Sequence, residues 1–221
     1  MTLDNRPFWH STGIVPVVTI RDADRAVPLA RTLAEAGLPI IEITLRTPSA
    51  LDAIRRIAAE VPEAHVGAGT IRHPADIEAA LNAGARFLVS PGATDALVRA
   101  AAGCPIPWLP GCATPSEAMR LADHGFATVK FFPASSYGGT RTLRALAAPL
   151  AGMEFIPTGG IGPADLADYL SLPSVVAVGG SWMVREDWLD SGDLSSIAEA
   201  ARAACVRVRD LRTPAPADRP G

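Results

Sequence analysis

Eight short runs rich in apolar and β-branched residues recur along the chain, beginning near Ile14, Ile40, His65, Phe87, Ile106, Thr128, Phe155 and Val175. Their starts lie 19 to 27 residues apart, and each gap has room for a strand, a loop and the crossover helix that parallel pairing requires. That spacing leaves two architectures, an open doubly wound sheet or a closed (β/α)8 barrel. Helical signals fill the gaps. Leu51, Ile54, Ile57, Ala58 and Val61 repeat at three-to-four-residue intervals, the mark of one buried helix face. Thr114-Pro115-Ser116-Glu117 supplies an N-cap, a proline at the first helical position and a glutamate that can close a capping box. Gly37, Gly84 and Gly125 stand where three helices should stop.

Strand patterning selects the barrel. In a small barrel one face of each strand points into a narrow interior and the other packs on helices. Within Ile40-Ile41-Glu42-Ile43-Thr44-Leu45-Arg46, alternation puts Glu42, Thr44 and Arg46 on one face and Ile41, Ile43 and Leu45 on the other. The expected fold is therefore an α/β chain forming a (β/α)8 TIM barrel. It should comprise a single domain over residues 1–212, with an N-terminal helical segment before Ile14 and a C-terminal helix after Ser191. The proline-rich end, 213–221, reads as a mobile tail.

Composition excludes several partners. With 48% apolar residues the chain can build a sizeable core, and a net charge of −3 without a basic run lacks the footprint of a nucleic-acid-binding protein. Met1-Thr2-Leu3-Asp4 does not open a secretory signal. The longest uncharged apolar-rich stretch, about Tyr169 to Val184, is broken by Pro173, Gly179, Gly180 and Ser181 and falls short of the roughly 18 apolar residues of a membrane span. Three cysteines, Cys104, Cys112 and Cys205, show no Cys-x-x-Cys spacing and read as reduced thiols in a cytoplasmic protein. The four histidines, His10, His65, His73 and His124, are scattered, so no metal site and no cofactor is expected.

Active sites of this fold lie at the C-terminal ends of the strands. Of the 20 basic residues 19 are arginines, and the single lysine, Lys130, falls within Thr128-Val129-Lys130-Phe131-Phe132-Pro133. A lysine there is stripped of much of its hydration, which favours the neutral, nucleophilic amine. A purely electrostatic role would tolerate the arginine used everywhere else, whereas a guanidinium stays protonated and forms no imine. Glu42, set among isoleucines, is either paired with Arg46 or held partly neutral for proton transfer. Arg46 could grip a substrate carboxylate through its forked donors. Gly159-Gly160 and Gly179-Gly180-Ser181 close the seventh and eighth runs, where barrels often bind phosphate with loop amides, although tight turns alone would also explain glycine there.

Taken together, Ile41-Glu42-Ile43-Thr44-Leu45-Arg46-Thr47, Gly67-Ala68-Gly69-Thr70, Ser90-Pro91-Gly92, Leu109-Pro110-Gly111, Lys130-Phe131-Phe132-Pro133-Ala134, Pro157-Thr158-Gly159-Gly160-Ile161 and Gly179-Gly180-Ser181-Trp182 resemble the 2-keto-3-deoxy-6-phosphogluconate (KDPG) aldolases, a family also described as acting on 4-hydroxy-2-oxoglutarate. The resemblance runs in order from about residue 13 to 205. It implies a class I aldolase of the Entner-Doudoroff pathway, a homotrimer acting on a small phosphorylated keto acid. It implies Lys130 as the Schiff-base lysine and Glu42 as the general acid and base, with Arg46 and Thr70 at the pyruvyl carboxylate. Pro91 and Phe132 become pocket walls, and Gly159, Gly160, Gly180 and Ser181 the phosphate end. Thr158 matches a threonine that favours the gluconate series, where the related phosphogalactonate aldolases tend to carry an apolar residue. Two other readings stay open: another phosphosugar barrel, such as an epimerase that needs no imine, and a keto-acid-binding barrel without turnover.

Overall fold

The computed structural model describes residues 8–213. Met1-Thr2-Leu3-Asp4 and the expected tail from residue 214 onward lie outside them. Nine strand segments are found among the described residues: β1 (Ile14–Val18), β2 (Ile40–Thr44), β3 (His65–Gly69), β4 (Leu88–Val89), β5 (Trp108–Leu109), β6 (Gly111–Cys112), β7 (Thr128–Phe131), β8 (Glu154–Pro157) and β9 (Val178–Gly180). Each corresponds to one of the eight runs, except that the fifth run is divided. Pro110 has no N–H to give to a ladder, so the segment before it pairs with β4 and the segment after it pairs with β7. The Pro110 carbonyl still serves, accepting from Lys130 N at 2.8 Å.

All pairings are parallel. One sheet runs β5-β4-β3-β2-β1-β9 and curls as a half-barrel, and the other runs β6-β7-β8. Two isolated parallel bridges, Phe155 to Val175 and Thr158 to Gly179, join β8 to the segment leading into and through β9. The crossover helices include α1 (Ala26–Glu35), α2 (Ala50–Glu60), α3 (Pro74–Asn82) and α4 (Pro115–Asp123). Ile54 and Ile57 of α2 are fully buried, as their spacing requires. At the start of α4, Thr114 Oγ1 accepts from Glu117 N while the Glu117 carboxylate accepts from Thr114 N, a closed capping box. Gly37, Gly84 and Gly125 follow their helices with φ near +90° (+89°, +87°, +87°), a region open to glycine at no steric cost.

The end of the sheet away from the strand C-termini is closed by a short helical turn, Trp9–Thr12. Trp9 is buried, and the preceding Phe8 stacks on His65 at 4.6 Å. His10 Nε2 lies 2.8 Å from Glu154 Oε2, which also accepts from Thr128 Oγ1 at 2.7 Å. The long C-terminal helix Leu194–Arg212 packs against α1. Phe87, Phe131 and Phe155 are wholly buried, so the apolar strand faces and the inner helix faces share one core.

Candidate active site

Lys130 is the third residue of β7, and strand alternation turns it away from the core-packed Phe131 and into the interior. Its Nζ donates to Glu42 Oε1 at 3.3 Å, with side-chain exposures of only 7% and 3%. The ammonium also lies 5.4 Å from the centroid of the Phe132 ring. Glu42 reaches this position from the middle of β2, so the contact crosses from one sheet to the other. Room for the carboxylate comes from Gly69: a Cβ on that residue would overlap the Glu42 side chain.

The alternative pairing of Glu42 with Arg46 is not what forms. β2 ends at Thr44, and Arg46 N turns back to the Thr44 carbonyl at 2.8 Å, so strand alternation no longer governs residue 46. Arg46 is exposed at the rim, where its Nε donates to Thr70 Oγ1 at 3.2 Å. Thr70 carries φ of +63°, the one non-glycine residue with positive φ among the described residues. For a β-branched residue this backbone is strained, at a cost of about 1–3 kcal/mol. The strain places a hydroxyl beside the guanidinium.

A cavity of about 460 Å³ opens at the strand C-termini. Arg46, Lys130 and Phe132 line one part of it. Thr158, Gly159 and Gly160 after β8, with Gly180 and Ser181 at β9, line another. Of the residues singled out in the sequence, Glu42, Thr70 and Pro91 stand outside the cavity wall: Glu42 contacts Lys130, Thr70 contacts Arg46, and the Pro91 backbone sits where a Cβ on Gly111 would be. Gly159 and Gly160 adopt φ of +101° and +69°. Gly180 lies so close to the Trp182 ring that no Cβ would fit. The positive φ of Gly159 and Gly160 permits tight turns, and the missing Cβ leaves their amides open to the cavity.

Sequence reasoning missed two groups on the wall. Thr19, just beyond β1, carries no signal in the sequence, being a lone hydroxyl at the end of an apolar run. Arg185, Glu186 and Asp187 form the outer rim, and a run of three charges five residues after a glycine-rich strand end was the available signal. Each acidic member is held by an arginine. Arg185 pairs with both oxygens of Asp187 at 2.9 and 2.8 Å, and Arg21 reaches Glu186 at 2.7 Å. These contacts hold the Asp187 carboxyl below its usual range and raise the Arg185 and Arg21 guanidiniums.

Among the described residues no group of His, Cys, Asp and Glu gathers at metal-binding distance, and no helix is long and apolar enough to cross a membrane. Cys112, on β6 beside β7, is the other nucleophile near the interior. Burial, then the nearby Glu117 charge, pushes its thiol up to about 12, so it stays protonated and unreactive near neutrality.

A parallel α/β fold that buries an amine against a carboxylate in its interior is an arrangement suited to imine chemistry. The family profile described as KDPG and KHG aldolase matches residues 8–200, and the chain belongs to that family. The KHG/KDPG aldolase of Escherichia coli (strain K12) is 48% identical over 195 residues, 88% of this chain and 92% of that protein. The 2-dehydro-3-deoxy-phosphogluconate aldolase of Dickeya dadantii is 47% identical over 86% of this chain and 90% of its own length. Among solved structures, the KDPG aldolase of Legionella pneumophila, with pyruvate captured at low pH as a covalent carbinolamine intermediate, aligns with a TM-score of 0.87 at 38% identity, covering 89% of this chain and 95% of that one.

Proposed function

We propose that this chain cleaves KDPG to pyruvate and glyceraldehyde 3-phosphate through a Schiff base on Lys130, and also takes 4-hydroxy-2-oxoglutarate, yielding pyruvate and glyoxylate. The observation that carries the proposal is the 3.3 Å contact between Lys130 Nζ and Glu42 Oε1 inside the sheet interior. A proton passed along it leaves a neutral amine and a protonated carboxyl. The amine attacks the C2 ketone, and the carboxyl protonates the departing hydroxyl, so water leaves and an iminium remains. Glu42, now a carboxylate, takes the C4 hydroxyl proton directly or through a water. The C3–C4 electron pair flows into the iminium, glyceraldehyde 3-phosphate departs as the aldehyde, and an enamine is left on Lys130. Protonation at C3 and hydrolysis of the imine release pyruvate and restore the amine.

The other residues take complementary roles. Arg46, steadied by Thr70, holds the pyruvyl carboxylate, while Phe132 walls the keto-acid end and Pro91 backs it from behind Gly111. The amides of Gly159, Gly160 and Gly180 and the Ser181 hydroxyl receive the phosphate. Thr158, buried beside Gly179, supports the gluconate over the galactonate series. The two isolated bridges between β8 and β9, and the continuity of β5 and β6 across Pro110, support a closed (β/α)8 barrel forming one domain to residue 212. The three free cysteines fit a cytoplasmic protein, and we read it as a homotrimer.

Pyruvate release from KDPG by the wild type and two variants tests the reading. Lys130→Arg keeps the charge and should abolish turnover. Glu42→Gln should lower kcat by about 10²- to 10⁴-fold, the usual worth of a positioned acid–base group. Turnover surviving Lys130→Arg would instead favour chemistry without an imine, and pyruvate binding without turnover would favour a keto-acid-binding barrel.

A further inference from the structure

Thr19 stands on the cavity wall immediately beyond β1, half-buried, and nothing in the cleavage steps above uses it. Its Oγ1 lies 3.0 Å from Thr44 Oγ1, and Thr44, fully buried, donates to the Val18 carbonyl at 3.1 Å. The protons can be assigned by counting. A threonine hydroxyl has one hydrogen, and a carbonyl oxygen can only accept. The Thr44 hydrogen is therefore spent on Val18, and in the contact between the two threonines Thr19 must be the donor. Thr19 Oγ1 then faces the cavity with lone pairs only. An oxygen in that state disfavours a carboxylate or phosphate and accepts from a substrate hydroxyl.

The register sets how far Thr19 stands from Glu42. Val17 lies opposite Glu42 and Val18 opposite Ile43, so Thr19 is level with Thr44. Thr44 sits two residues beyond Glu42 on the same face of β2, about 7 Å nearer the mouth. We infer that Thr19 is a specificity-determining residue that accepts a hydrogen bond from the hydroxyl one carbon past the bond that breaks, the C5 hydroxyl of KDPG and the C2 hydroxyl of glyceraldehyde 3-phosphate. This rests on the aldolase reading and adds to it a rule for the aldehyde half.

The test compares two reactions of the same preparations. Exchange of the pyruvate methyl hydrogens with deuterated solvent requires the imine and its enamine but no aldehyde, whereas aldol addition to glyceraldehyde 3-phosphate requires both halves. Thr19→Val, which preserves shape, should lower kcat/KM for the addition about ten-fold, the usual effect of losing one neutral hydrogen bond, and leave methyl exchange within about two-fold of wild type. Thr19→Ser should restore the addition. A loss shared equally by exchange and addition, or no loss in addition, overturns the role of Thr19 while the aldolase reading stands. Wild-type protein that fails to exchange the methyl hydrogens overturns the aldolase reading, and the role of Thr19 with it.

Discussion

Lys130 Nζ stands 3.3 Å from Glu42 Oε1, although the two residues are 88 positions apart in the chain and belong to different sheets. Withdrawing two such charges from water costs several kcal/mol per ion, and apolar side chains of similar size often serve stability as well or better. The pair is therefore poorly explained as a fold stabiliser. In a chain whose other 19 cationic side chains are arginines, it is well explained as chemistry that needs a transferable proton and a free amine. The glycines, the rim and the strained turn around it each carry a consequence that can be measured.

Gly69 should matter through Glu42. Because a Cβ there would overlap the carboxylate, Gly69→Ala should move Glu42 away from Lys130 and lower kcat by at least about ten-fold, with an overpacking cost of about 1–3 kcal/mol. Gly103→Ala, where nothing lies within 4 Å of the added atom, is the control and should leave both unchanged. Steady-state kinetics and thermal melts read the two effects separately.

Thr70 should show stability traded against binding. Its φ of +63° costs a β-branched residue what glycine does not suffer. Thr70→Gly relieves about 1–3 kcal/mol of strain and gives back about 0.5–1 kcal/mol to the freer unfolded chain, for a net gain of up to about 2.5 kcal/mol. The same change removes the acceptor for Arg46 Nε, so the KM for pyruvate in methyl exchange should rise about ten-fold. A less stable variant with unchanged KM would contradict the role given to this turn.

Acid should act at the C-terminal helix. Asp193 caps it, accepting from Ser196 N at 3.1 Å and from the Ser195 and Ser196 hydroxyls, and its carboxyl is pulled down from 3.8 to about 2. A depressed carboxyl stabilises the fold above its unfolded value, and that contribution fades as pH falls toward the folded value. Asp193→Ala should therefore lower Tm at neutral pH, and its gap from wild type should close between about pH 4 and pH 2. A gap that is constant with pH would show that the carboxylate charge is not the cause.

Much of the scaffold was legible because it is written in local periodicity. The runs at Ile14, Ile40, His65, Thr128 and Phe155 become strands, and the Thr114 capping box and the glycine helix stops form as their spacing requires. The departures arise where long-range pairing overrides a local pattern. Pro110 divides the fifth run because each half has a different neighbour, which only the sheet order reveals. Arg46 leaves the strand face because β2 stops two residues earlier than alternation alone suggests. Glu42 was recognisable as unusual, but local pattern offered it Arg46, and only the family resemblance linked it to a lysine 88 positions away. Thr19 looks unremarkable in sequence and gains its meaning from Thr44 on the adjacent strand.

The most direct test of the account is borohydride reduction in the presence of pyruvate, followed by peptide mass analysis. Lys130 carries the chain's one lysine amine, so the N-terminal amine is the other primary amine that could react. The account predicts a single reduced pyruvate adduct on the peptide containing Lys130, with activity lost in step. No adduct, or an adduct confined to the N-terminus, would contradict it.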